Sequence, residues 1–432
     1  MPATSRSIII RFAPIILLVV IINVVTIHRK LARETPLLQD FTSPQSWSGN
    51  IGSKSIGNGN SNRSNNKNEI ELKNNDEKDV ADESFSACVL FMDDNHRLPE
   101  WLAFHYYALP LRHLIIAVDP ASTQKFPNIP SRWKDLINIT VWNDADFIPL
   151  HVNLTRNPAD TPEDRRSKHR QRQYSFYPAC SKHLKKYNPL TTWTSYHDTD
   201  EFLTISEDFF SKQNPRFSSS REVLEKATLS TIQNHTAFMT QPGYILKFLR
   251  EYSREPRNTS PVHEDLSQVC IHVPRAKYSA VESPRKLTQR NVPIWINSDQ
   301  FDTLRFRYRE TKKFSRNGLA KGIIDLSRVT DEDINGGGMT HRPIISVCPK
   351  NTAMRQYGYL PLGIHHYLGS LESYVFRNDA NHAKANWLDV GTNQDGGADD
   401  EIRPWIQGFF DSMGISLAYE LLQGAGVLVK EV

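Results

Sequence analysis

The chain has 432 residues, 39% hydrophobic and 23% charged, enough for one large α/β domain with appendages or for two or three domains. Its 52 basic and 48 acidic residues leave a net charge of +4, too mild and, outside the run Arg165–Arg172, too dispersed to imply a nucleic-acid partner. Cys88, Cys180, Cys270 and Cys348 form no Cys-x-x-Cys pair and give a zinc site no support, which leaves two disulfides in any of three pairings, or buried free thiols.

Ile8–Ile27 is apolar except for Arg11 and Asn23, longer than the core of a signal peptide, and no small-x-small cleavage site follows. It predicts one membrane anchor, with residues 1–34 as cytoplasmic tail and span. Basic residues flank both ends, so charge does not orient it. The sequons at Asn62, Asn138, Asn153, Asn234 and Asn258 favour a lumenal C-terminal body, hence type II topology. Residues 35–84 form a stem, because Ser43–Ser84 has almost no large apolar side chains with which to offset the entropy of ordering. The folded body spans 85–432.

That body reads as α/β. Ala87–Met92, His113–Val118 and Ile137–Trp142 are short apolar runs, each with a polar exit, and Leu98–Leu109 carries Leu98, Trp101, Leu102, His105 and Tyr106 at helical spacing after Pro99. Strand, helix, strand in this pattern predicts a mostly parallel sheet flanked by helices. Arg165–Tyr187 predicts a helix with Tyr174, Tyr177 and Leu184 inward and a break or kink at Pro178. Trp193–Leu203 predicts one buried strand running into Asp198, Asp200 and Glu201. Further on, Ser220–Ile232 predicts a helix, Ala237–Arg250 a hairpin, Ile344–Val347 a strand, Ser370–Arg377 a helix and Trp405–Leu422 an amphipathic helix.

The chemistry centres on Asp198-Thr-Asp200. Two aspartates separated by one residue point to the same side of an extended chain and can approach one hard cation together. Oxygen ligands of this kind suit Mg²⁺ or Mn²⁺, which can neutralise a departing diphosphate. A solvated acidic turn is the bland alternative, and the apolar residues on both sides weigh against it.

Five stretches carry a resemblance. They are Pro99–His105, the strand ending at Asp119, Gln171–Cys180, the strand into Asp198-Thr-Asp-Glu-Phe-Leu, and His365-His-Tyr-Leu-Gly-Ser. Together they resemble the nucleotide-sugar glycosyltransferases of family 92 and the related "domain of unknown function 23" group, over Phe85–Leu203 and more loosely over Ile344–Arg377. The resemblance implies a GT-A fold, a UDP-sugar donor (galactose by family analogy), a divalent metal, commonly Mn²⁺, a glycan or glycoprotein acceptor, and a single-pass type II Golgi membrane protein.

On that reading Asp200 is a direct metal ligand, Asp198 contacts the ribose or the metal, and His366 is a third, neutral ligand. Glu201 supports them from behind. Asp119 lies by the uracil or ribose. Asp94, Asn95 and Arg97 face the donor, with Arg97 on a phosphate or in a surface salt bridge. An inverting transfer needs a carboxylate base, for which Asp399, Asp400 and Glu401 are candidates, although each also reads as a cap for the helix from Trp405. Two other functions fit the pattern. One is a phosphatase with Asp198 as nucleophile, Asp200 as acid and Asp399-Asp400 as metal ligands. The other is a catalytically inactive carbohydrate-binding protein.

Overall fold

The computed structural model of the protein describes residues 84–187, 191–210, 239–254, 268–278, 296–310, 319–339, 341–348, 357–358, 360–376, 387–388 and 397–427. The expected anchor, the stem up to residue 83 and the Ser220–Ile232 helix lie outside them, and Ser84, expected as the last stem residue, instead opens the first strand. Among the described residues no helix is long and apolar enough to cross a membrane.

The chain runs β1 (Ser84–Phe91), α1 (Leu98–Ala108), β2 (Leu111–Val118), α2 (Ile129–Trp133), β3 (Asn138–Trp142), α3 (Pro162–Tyr187) and β4 (Thr191–Ser195). It continues through β5 (Glu201–Ile205), α4 (Tyr244–Arg254), β6 (Cys270–Val273), β7 (Arg275–Tyr278), β8 (Lys321–Asp325), β9 (Leu362–Tyr367), α5 (Leu371–Phe376), α6 (Trp405–Met413) and α7 (Ile415–Leu421). A six-stranded sheet has the order β3-β2-β1-β4-β8-β6, and a three-stranded sheet the order β5-β9-β7. In the large sheet β3, β2, β1 and β4 are parallel, while β8 is antiparallel to both of its neighbours. The expected mostly parallel α/β sheet is therefore present. Strand order reverses between β1 and β4, and in open sheets the crevice at such a point, at the carboxyl ends of the strands, takes the ligand.

The sheet is buried on both faces. Residues of α1, α2, α4 and α6 make one core with Leu114 and Ile116 of β2. Phe176, Tyr177 and Leu184 of α3 make another with Ile115 and Ala117. The cores alternate along β2 because successive strand residues face opposite ways. Two disulfides cross-link the body, Cys88–Cys180 from β1 to α3 and Cys270–Cys348 from β6 to the turn after β8.

Several local expectations are corrected. Trp193–Leu203 is not one strand: β4 ends at Ser195 and β5 begins at Glu201 in the other sheet, so Asp198 and Asp200 sit in the turn between sheets. Helix α3 runs through Pro178 without a break, and Tyr174 is 44% exposed because it lies at the margin of the buried stripe. The segment expected as a hairpin carries helix α4, with Tyr244, Ile245, Phe248 and Leu249 buried at helical spacing. Ile344–Val347 is a turn, not a strand, since the Arg342 guanidinium donates to the carbonyls of Ile345 and Cys348 and curls the backbone around itself. The C-terminal helix is two helices, broken at Gly414, whose φ of 75° is the left-handed value that glycine adopts readily.

Candidate functional site

The site forms where the loops leaving β1, β2 and β4 meet the first residues of β5 and the far end of β9. Register places Phe91 beside Val118, so the loop Asp93–Arg97 and Asp119 leave the same edge. Asp93 opens that loop at φ 53°, a left-handed conformation that aspartate tolerates better than most residues. Its carboxylate accepts hydrogen bonds from the backbone N–H groups of Thr123 and Gln124 at 2.7 and 2.8 Å, which pins the β1–α1 loop to the β2–α2 loop.

Arg97, at the start of α1, is not the surface salt bridge that its sequence position also allowed. It is 3% exposed. Its guanidinium donates to Asp302 and to the Leu368 carbonyl, each at 2.9 Å, and lies 3.6 Å from Asp200 and 3.8 Å from Asp94. Asp94 in turn accepts from the Thr199 hydroxyl at 2.6 Å, so the loops after β1 and β4 are tied directly. Asn95 turns aside: its amide donates to the Lys125 carbonyl, and it lines a separate cavity of about 800 Å³ with Phe126, Arg132 and Val427.

Between the sheets the charges interlock. Asp200 lies 3.5 Å from His366 Nε2 and 3.6 Å from Arg97. Asp198, 35% exposed at its side chain, is held at 2.7 Å by Lys321, the buried first residue of β8. Glu201 is fully buried between Lys321 at 2.9 Å and Arg275 at 2.7 Å, and it accepts the Asp198 backbone N–H. Burial works to raise the Glu201 pKa, but Lys321 and Arg275 outweigh it and hold the group far below the ordinary carboxylate range. Burial lowers the His366 pKa, against the opposing pull of Asp200 beside it.

Asp119, at the end of β2, is fully buried. Arg156 and His169 approach it to 3.6 Å and Arg172 to 3.9 Å, and it accepts the Ala121 N–H at 2.9 Å. Burial raises its pKa, and these partners together bring it below the usual value. Arg172 is also bidentate to Asp144, so the basic run in α3 partly serves to close the carboxyl edge of the sheet.

Asp399, Asp400 and Glu401 are not at this junction. They act as neither free bases nor caps. Helix α6 has Pro404 as its N-cap and no side-chain cap. Asp399 accepts the Tyr278 hydroxyl at 2.6 Å and pairs with Arg309 at 3.1 Å. Asp400 pairs with Arg307 and Arg403. Glu401 is buried against Tyr357 and His365. His365 and His366 are successive residues of β9 and face opposite ways, so this second network lies behind the strand that presents His366.

Asp200 and His366 are neighbours at the junction, while Asp198 is directed to Lys321; a cluster with metal-ligand spacing among the described residues is His365, Asp399 and Glu401, behind β9. The residues that sequence reasoning missed are Lys321 and Arg275, with Arg156, His169 and Arg172 around Asp119. Only the basic run of α3 left a sequence signal; Lys321 and Arg275 open ordinary short strands. No protein-family model matches the chain, and no curated protein is similar to it.

Proposed function

We propose that the protein is a metal-dependent glycosyltransferase that moves a sugar from a UDP-sugar donor to a glycan or glycoprotein acceptor in the Golgi lumen. In this reading it is anchored as a type II membrane protein by its N-terminal apolar segment. The observation that carries the proposal is the pairing of Asp200 with the partly buried His366 at 3.5 Å, at the point where strand order reverses between β1 and β4. A divalent ion, Mn²⁺ or Mg²⁺, would supply neutralisation of the diphosphate as it leaves. Asp200 and His366 would hold it. Arg97 and Lys321 would offer cationic contacts at the same edge, Asp198 would orient the ribose side, and Asp119 the nucleoside. The two disulfides support passage through an oxidising compartment.

The test is calorimetric titration of the soluble body, residues 84–432, with UDP in the presence and absence of Mn²⁺. Metal-dependent binding is expected, and Asp200→Asn or His366→Ala should weaken it at least about tenfold, which is roughly 1.4 kcal/mol. Folded protein that ignores UDP at every metal concentration would sink the proposal. Glycan binding without UDP would then favour the carbohydrate-binding reading.

A further inference from the structure

We propose that Asn138 carries an N-linked glycan whose structural role is to guard the free edge of the six-stranded sheet. The inference rests on passage through the secretory pathway and not on the transferase reading.

The two edges of the sheet differ. Strand β6 is buried along its whole length. Strand β3 pairs, among the described residues, only with β2, and its burial pattern is exposed at Asn138 and Val141 and partial at the other three positions. An uncovered edge offers a template for pairing with another chain. Proteins usually blunt such edges with charge, proline or a bulge. Here the stretch Ile137–Trp142 reads Ile-Asn-Ile-Thr-Val-Trp. It has no charge, no proline and no glycine, and four of its six residues are β-branched. Val141 is 43% exposed, and β3 pairs with β2 in continuous register without a bulge. This composition is that of a segment prone to cross-β association.

The same stretch contains the one feature able to compensate. Asn138-Ile-Thr140 is a sequon, and the asparagine is exposed at the first position of the strand. In the modification Asn138 Nδ2 bonds to the anomeric carbon of an oligosaccharide, the lipid diphosphate that carried it leaves, and one amide proton is lost to base. The bulky, hydrated product would stand beside the free edge and keep a second chain from docking. Asn153, the other described sequon asparagine, is also exposed but lies in a loop, where its Oδ1 accepts the Thr155 N–H at 2.9 Å. It serves as the internal control.

The test uses the full chain expressed in a eukaryotic host and extracted in mild detergent, with peptide mass spectrometry for occupancy and light scattering for association. Asn138 should be occupied. Enzymatic deglycosylation of the folded protein should raise the aggregated fraction several-fold, as should Asn138→Gln, whereas Asn153→Gln should not. Val141→Lys places charge on the same edge and should restore monodispersity to Asn138→Gln. An unoccupied Asn138 would overturn the proposal, as would deglycosylated protein that stays as monodisperse as the untreated sample. So would aggregation that Val141→Lys leaves unchanged.

Discussion

Glu201 is fully buried and is held by two cations that arrive from distant parts of the chain. Removing one member of such a group leaves the others buried without compensation, which costs more than the intact pair contributes. Glu201→Gln should therefore destabilise the protein by about 3–5 kcal/mol in urea unfolding. Asp198→Asn should cost about 1 kcal/mol or less, because Asp198 is partly exposed and Lys321 keeps Glu201. Equal effects would show that Lys321 is held chiefly by Asp198. The contrast also separates two roles at one motif, with Glu201 as the structural counter-charge and Asp200 facing the expected ligand. The residue pattern placed all three carboxylates at the site; their division of labour came from partners that lie 74 and 120 positions along the chain from Glu201.

At the level of elements, the helices α1 and α6 pack closely because Gly408 leaves room. A Cβ there would run into the Tyr107 hydroxyl and the Thr240 carbonyl oxygen. Gly408→Ala gains helix propensity but overpacks a buried contact, and overpacking typically costs about 1–3 kcal/mol. A net loss of stability in thermal melts is expected, with UDP affinity unchanged, since Gly408 faces Tyr107 and Thr240 and none of the residues placed at the site. A stabilised Gly408→Ala protein would mean that Tyr107 swings away freely. The β5-β9-β7 sheet does a different job. The Tyr278, Tyr357, His365 and Glu401 network behind β9 locks the strand whose next residue, His366, points to Asp200.

Across the whole molecule, buried titratable groups predict how stability follows pH. Burial lowers the pKa values of His197 and His341 from an ordinary 6.5 to about 3. Both are neutral in the fold, so their contribution is fully present above pH 6.5 and declines as pH falls below it. Each adds a slope of up to about 1.4 kcal/mol per pH unit. Glu100 acts in the opposite sense. Burial and the nearby Asp302 raise it from 4.5 to about 8, so the fold favours its protonated form and loses stability as pH rises through that interval. Urea unfolding between pH 4.5 and 8.5 should show a maximum near pH 6.5, with an acid limb steeper than the alkaline one. Glu100→Gln should flatten the alkaline limb, and stability that climbs steadily to pH 8.5 would contradict the assignment.

What the sequence determined by itself was local. The apolar runs of β1, β2 and β3, helix α1 with its Pro99, and the polar exits bearing Asp94, Arg97 and Asp119 follow from periodicities of two and 3.6 residues, which neighbours along the chain enforce. The tertiary structure alone decided which cysteines pair, that the expected strand through Asp198 splits between two sheets, and that Asp399–Glu401 serve a buried network behind His366. It also brought Lys321 and Arg275 to Glu201. The physical reason is common to all of these. Burial of a charge and choice of its partner depend on which strand lies beside which, and that is set by the packing of residues scores of positions apart, not by any pattern within a window.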